Sequence, residues 1–479
     1  MKGSIKLAET ISRKEHLAVI VQDIAAAQLI LKDKISFERF STLANAGEKL
    51  VNIQNGAYNI YLILASDKKT TSDALEYYRT KGHDLLKLLN KEQIQDLELT
   101  SAYAQDDELL AMAEGILLAN YTFHKYKKEP KKNSFKTLHL VATTLDKIRV
   151  KALLTVLESV CLARDLVNEP VVYLTAEQFS TEMKSLGHEA GFDVEVLAKK
   201  DIKRLNMGGL LAINAGSPNP PTFNILTYQP KHHQNKQPLV LVGKGVVYDT
   251  GGLSLKETAN SMDIMKCDMA GAAAVLGAIY AIAKNKLPYY VVGLIPATEN
   301  RPDGNAITPG DVITMHSGTT VEILNTDAEG RVILADALSY AKQYKPTLVL
   351  DFATLTGAAI MAVGKYGSVM MGTASEETKN TLKDAGNQVY ERLVELPLWD
   401  EYAKEIESDI ADLKNIGNGT AGATTAAKFL EHFTDYPWIH VDIAGPAYIK
   451  GEDSYRGKNA TGMGVRLIYQ FVQDYFIQA

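Results

Sequence analysis

Short apolar runs alternate with longer amphipathic stretches along this chain, and the alternation predicts strands and helices in turn. Residues 17–21, 58–65 and 137–142 are brief and rich in Val, Ile and Leu, as strands are. Leu109, Leu110, Ala113, Ile116, Leu117 and Tyr121 recur at helical spacing and predict a helix over 106–126. Residues 148–163 predict another. The stretch RDLVNEPV at 164–171 reads as a hinge, because Asn168 and Pro170 stop a helix and Thr175 can cap the next one. Beyond it, residues 192–197, 210–214, 223–227, 239–242 and 321–324 read as strands, and 332–344 as a helix. Loops rich in Pro, Gly and Asn fill 216–221 and 230–238. Residues 270–284 form a strongly apolar helix. Residues 290–295 and 347–352 are unbroken apolar runs, as expected of central strands covered on both faces. The pattern implies an α/β protein of two α/β domains. The smaller spans residues 1–165. The larger, 166–479, carries a mixed central sheet flanked by helices.

Composition supports this division. A chain of 479 residues is too long for one hydrophobic core. With 46% apolar and 23% charged residues it has the balance of a globular protein. A net charge of −6 argues against nucleic-acid binding through bulk charge. Lys125, Lys127, Lys128, Lys131, Lys132 and Lys136 cluster around Pro130, and read as a solvated loop rather than a phosphate-binding patch. The only cysteines, Cys161 and Cys267, make no disulfide framework and suit a reducing compartment. The N-terminal stretch carries scattered charges and no signal-peptide core. No run approaches the roughly 20 apolar residues of a membrane span. A soluble cytoplasmic protein is the expectation.

Candidate chemistry concentrates between residues 239 and 356. In VGKGVVYDTGGLSLK (242–256) a strand ends at Lys244, and Asp249, two glycines and Lys256 follow. Ligands sit beyond the carboxyl ends of strands in open α/β sheets. The stretch is neither a phosphate loop nor a dinucleotide fingerprint, since it lacks the spaced glycines of both. In MDIMKCDMAG (262–271), Asp263 and Asp268 precede the apolar helix, where an aspartate can equally be a cap. In NTDAEGR (325–331), Asp327 and Glu329 stand where acids also complement a helix dipole. Taken singly, each residue has an ordinary structural role available to it. Together they supply four carboxylates, Asp249, Asp268, Asp327 and Glu329, with three cations, Lys244, Lys256 and Arg331. Crowded carboxylates resist ionisation unless cations compensate them. A pair of divalent ions would do so, and could activate water and polarise a carbonyl together. The oxygen-rich set permits Mn, Zn or Mg. Cys267 reads as a small core residue rather than a thiolate ligand.

These three motifs resemble the cytosolic leucyl aminopeptidase family of two-metal exopeptidases. The resemblance continues through DFATLTGA (351–358), SDIADLKNIG (408–417), HVDIAGPA (440–447) and ATGMGVRLI (460–468), covering most of the second domain. In the first domain it rests on AEGILLANYTFHKYK (113–127). It implies that Asp249 and Glu329 bridge two metal ions, that Lys244 and Asp268 complete a tighter site, and that Asp327 completes a more exchangeable one. It implies a metal-bridged water as nucleophile. Lys256 would polarise the substrate carbonyl and steady the oxyanion, and Arg331 would hold a bicarbonate acting as general base. It places Met265 and Thr354 in the pocket for the N-terminal side chain. It implies a homohexamer acting on peptides, with apolar N-terminal residues such as leucine favoured. The chain departs from the family in ETANS (257–261), one residue longer than in many members, and in GNGTAGATT (417–425), where a Gly-Gly-Arg and a Ser are frequent. Asp268 still precedes Met269, Ala270 and Gly271, so the ligand role falls on it. A binding scaffold without chemistry and a two-metal phosphatase are the competing classes.

Overall fold

The computed structural model describes residues 3–12, 16–55, 58–103, 106–130, 132–142 and 144–478. The chain forms two compact units: Met1–Cys161 with Gly451–Gly457, and Leu162–Lys450 with Lys458–Ala479.

In the first unit, β1 (Ser4–Ala8), β2 (His16–Val21), β3 (Leu50–Asn55), β4 (Tyr58–Leu64), β5 (Asp96–Ser101) and β6 (Thr137–Val141) make one sheet. Its order is β1-β6-β5-β2-β4-β3, and only β3 pairs antiparallel with its neighbour. The central runs Ala18–Val21 and Tyr61–Ile63 are wholly buried, which is why they read as unbroken apolar stretches. Helices α1 (Lys34–Asn45), α2 (Thr71–Lys91) and α3 (Asp106–Ala119) accompany it. Helices α2 and α3 touch backbone to backbone: a Cβ on Gly115 would lie 2.0 Å from the Arg79 carbonyl oxygen. The buried pair Arg79–Glu114, at 2.7 Å, joins them. The helical pattern overstates α3, which ends at Ala119 rather than 126. Asn120 ends it by turning its side chain to other partners: its Nδ2 donates to the Phe135 carbonyl at 3.3 Å, and its Oδ1 accepts from Asn133 at 2.9 Å. Of the lysine cluster, Lys125, Lys127, Lys128, Lys132 and Lys136 are exposed, and Lys131 lies outside the described residues.

Helix α4 (Lys147–Asn168) runs further than its apolar pattern suggested. Residues 164–168, expected as a hinge, are its last turns, and the buried Arg164 donates to the Thr461 carbonyl at 2.8 Å. Thr175 caps α5 (Ala176–Ala190), accepting from the Gln178 amide. After β7 (Asp193–Leu197) and α6 (Lys199–Arg204), the run expected as a strand at 210–214 is instead a helix, α7 (Gly208–Asn214). A short buried apolar run fits either state by periodicity alone. Here Asp336 decides: its Oδ2 accepts the Leu210 amide at 2.9 Å, at the helix start.

Further strands of the second unit are β8 (Thr222–Tyr228), β9 (Leu239–Gly243), β10 (Gly245–Asp249), β11 (Val291–Asn300), β12 (Asp311–Thr314), β13 (Thr320–Ile323), β14 (Leu348–Ala353), β15 (Ser368–Gly372), β16 (Leu393–Glu395), β17 (Leu413–Lys414) and β18 (Trp438–Asp442), beside a two-stranded pair, Tyr448–Ile449 with Asn459–Ala460. Among the described residues nine of the unit's strands form one sheet, ordered β16-β15-β18-β14-β9-β11-β8-β7, with β10 also on β11. Strands β18, β14, β9 and β11 are mutually parallel, whereas β8 and β15 run antiparallel to their inner neighbours. The sheet is therefore mixed, as expected. Val240 and Val242 share an apolar cluster with Val332, Ile333 and Leu334 of helix α9 (Glu329–Ala341). Leu239 and Leu241, on the other face, are equally buried. Helix α8 (Ala270–Lys284) packs against β9 and β14 and is buried from Ala270 to Ala283. By length and composition the continuous helical stretch Met262–Lys284 could cross a membrane, contrary to the sequence reading, but 83% of its most apolar window is buried inside the protein. It is a core helix.

Candidate metal centre

The parallel strands all end at one edge. There β9 delivers Lys244, β10 ends at Asp249, β11 ends at Asn300 and β14 leads into Thr354. Helices α8 and α9 begin at the same edge, preceded by Asp268 and started by Glu329. Their positive ends favour carboxylates at this place.

Lys244 is held by backbone before its side chain acts. Its amide donates to the Phe352 carbonyl and its carbonyl accepts from Ala272, both at 3.0 Å. Its ammonium donates to Asp268 Oδ1 at 2.8 Å and to the Thr354 carbonyl at 2.9 Å. Asp268 Oδ2 and Glu329 Oε1 lie 2.7 and 2.8 Å from the same nitrogen. Glycine at 330 permits this approach, because a Cβ there would stand 2.5 Å from Lys244 Cε. Asp268 is no helix cap: α8 makes no side-chain capping bond, and Thr354 Oγ1 donates to Asp268 Oδ1 at 2.8 Å.

Asp249 Oδ1 accepts from the Gly251 amide and from Asn300 Nδ2, both at 2.8 Å. Its Oδ2 lies 2.8 Å from Lys256 Nζ. Lys256 also pairs with Asp327. Gly251 turns with φ +83°, where a side chain would meet the Ser254 carbonyl at 2.3 Å. That turn brings Lys256 back over Asp249.

Asp249, Asp268 and Glu329 each present an oxygen, all within 4.8 Å of one another, in full burial. Asp268 Oδ2, Asp327 Oδ1 and Glu329 Oε1 are buried oxygens, each with a lysine ammonium as its close partner. Crowded buried carboxylates are costly unless cations compensate them. The donor set thus fits divalent metal ions.

Protonation follows from the crowding. Burial and the neighbouring Glu329 charge raise the Asp249 pKa to about 6. Burial likewise raises Asp268 well above the usual carboxylate range. Burial also opposes the charge on Lys244 and Lys256, but the surrounding carboxylates outweigh it and raise both. Glu329 moves the other way, because the two ammonium groups outweigh its burial. Burial lowers Arg331 to about 10. Its Nη1 donates to the Asn415 carbonyl at 3.1 Å, while its buried Nε has no partner.

These groups line a cleft of about 630 Å³, which also receives Met265, Thr354, Ile360 and Tyr448. All seven charged residues singled out in the sequence meet here, as do Met265 and Thr354. Cys267 is buried, its thiol pushed up to about 12 by burial and the Asp268 charge, and it is a core residue. The sequence reading missed Asn300, which orients Asp249, and Asn415, whose side chain binds the Leu324 amide and the Asn325 carbonyl and so shapes the loop bearing Asp327. Neutral amides carry no charge pattern that would single them out.

Residues 161–469 match the model of the cytosol aminopeptidase family catalytic domain. A probable cytosol aminopeptidase of Chlorobaculum tepidum is 44% identical over 428 residues, covering 86% of this chain and 84% of the relative. One of Chloroherpeton thalassium is 45% identical over 381 residues, covering 79% and 70%. Among solved structures, a mutant tomato leucine aminopeptidase superposes with a TM-score of 0.84 at 28% identity, covering 98% of this chain and 96% of that one. The bottromycin maturation enzyme BotP, in complex with Mn, gives 0.84 at 31% identity, covering 95% and 98%. The buried carboxylate cluster and these likenesses agree: the chain belongs to the cytosol aminopeptidase family and is a leucyl aminopeptidase-like hydrolase.

Proposed function

We propose that this chain removes N-terminal residues from peptides, leucine and other apolar residues preferred, using two divalent metal ions. The observation that carries this reading is the convergence of Asp249, Asp268 and Glu329, whose oxygens lie buried within 4.8 Å of one another. Asp249 and Glu329 would serve both ions, Lys244 and Asp268 one, and Asp327 the other. When bound, the ions supply Lewis-acid polarisation and a nucleophile drawn from water. Mn or Zn suits the set, with Mg compatible, and the Mn complex of BotP supports Mn.

The chain's own groups do the rest. Lys256 stays charged, held so by Asp249 and Asp327, and meets the negative charge that develops on the substrate carbonyl. Arg331, with its unpartnered Nε, would hold a bicarbonate, which would supply a general base. A substrate's free α-amino group, once neutral, could take a place on one of the ions, which would select peptides by their N-terminus. Met265 and Thr354 border the pocket for the N-terminal side chain. The relatives' naming as cytosol aminopeptidases supports a cytoplasmic setting. Residues 166–479 form the catalytic domain in this reading, and residues 1–165 serve assembly of a homohexamer and access to its sites.

A metal-loaded sample should release leucine from a leucyl peptide and stop on chelation. Release of phosphate from a phosphoester, with no action on any free-amino peptide, would overturn the proposal.

A further inference from the structure

Asp442 ends β18, paired in register with Ala353 at the end of β14. It is 1% exposed and stands behind the cleft wall rather than in it. Its Oδ2 accepts from Thr356 Oγ1 at 2.7 Å, and its Oδ1 accepts from the Leu355 and Ala444 amides, each at 3.1 Å. One buried carboxylate therefore fixes two consecutive residues where the chain leaves β14. Thr356 Oγ1 in turn accepts the Ala359 amide at 3.0 Å and caps the helix Gly357–Val363.

The residue just before this clamp is Thr354. Its carbonyl accepts from Lys244, and its hydroxyl donates to Asp268. Both bonds demand one orientation of the Thr354 peptide and side chain. Nothing in Thr354 itself imposes that orientation; β14 fixes one side of it and Asp442 the other. Asp442 also places negative charge beside Arg331.

Resting on the two-metal reading above, we propose that Asp442 is a positioning residue. Through the strap Thr354–Leu355–Thr356 it orients Asp268 and Lys244, and so sets the affinity of the ion those two hold. It has no bond to Asp327 or Lys256, so the other ion is indifferent to it. An asparagine at 442 keeps an acceptor for the amides but offers Thr356 an N–H in place of an oxygen. Thr356→Val breaks the same link from the other end together with the cap on Ala359, and Thr356→Ser keeps both.

The test is Mn2+ titration of the full-length protein against a competing chelator, resolving the two binding steps. Asp442→Asn and Thr356→Val should each weaken one step by about tenfold, the low end of what loss of a direct partner of a metal ligand costs, since both act through Thr354. The second step should hold, and Thr356→Ser should restore the first. Unchanged binding in both variants overturns the assignment. So does equal weakening of both steps, or a Thr356→Ser variant as weak as Thr356→Val. Should Asp442→Asn fail to fold, the Val and Ser pair at 356 decides alone. A wild-type chain that binds no Mn2+ overturns the proposed function, and this assignment with it.

Discussion

Lys244 and Lys256 each carry an ammonium group between carboxylates, yet their settings differ. Lys244 is 3% exposed and its partner Asp268 6%, whereas Lys256 is 15% and Asp327 33% exposed. The inner pair is fixed by β9, β14 and α8 and by the Thr354 strap. The outer pair rides on a glycine turn and on the loop before α9. The inner half is thus built by the sheet itself, and the outer half by loops laid over it. A half made of rigid elements holds its geometry without a ligand. A half made of loops can exchange what it holds and can follow a reacting group.

Removing Glu329, the residue proposed to serve both ions, should have the largest effect. Glu329→Ala is expected to abolish two-ion loading and to lower kcat/KM by about three orders of magnitude, since metal polarisation is worth several kcal/mol. Metal analysis beside steady-state kinetics checks this, and retention of both ions would break the picture of a shared ligand. Lys256→Ala should next lower kcat by about 100- to 1,000-fold while two ions stay bound, as loss of an oxyanion donor does. An effect confined to KM would move Lys256 from chemistry to substrate binding. Gly330→Ala pushes a methyl against Lys244, an overpacking of about 1–3 kcal/mol. It should weaken the inner ion alone, by about tenfold or more, read by the same titration. The mildest test is pH. Asp249, raised to about 6, takes up a proton as pH falls through that value, so both ions should weaken below it by up to about tenfold per unit. Lys244 must lose a proton to ligate, and its pKa is raised, so only the inner ion should keep tightening above neutrality. Parallel pH profiles for the two ions would erase the distinction between the halves.

The sequence made one half of this comparison easier to read than the other. Asp249 and Lys256 flank a pair of glycines, and Asp327 and Glu329 stand two apart before a helix, so grouping them was possible from spacing although each singly had an ordinary role. Lys244 and Asp268 looked like a turn lysine and a cap, because what distinguishes them is burial, and burial belongs to the folded sheet. Thr354 was read as pocket wall, though two of its atoms hold the inner pair. Asn300 and Asn415 left no trace, since a neutral amide is informative only once its neighbours are known. In the fold, long continuous apolar runs were read correctly as central strands. The brief run at 210–214 was misassigned because its state depends on Asp336, more than a hundred residues away in the chain.

Helix α8 has a consequence for how the protein is made. Its neighbours β11 and β14 follow it in the chain, and so does the helix Val465–Gln478, which also packs on it. During synthesis roughly 180 residues must therefore be added after Lys284 before that last cover is available. At about 5–20 residues per second this takes roughly 9–36 s. Throughout that interval the nascent chain carries an apolar helix whose cover is incomplete. The packing of the helix that starts beside Asp268 therefore waits on residues 465–478.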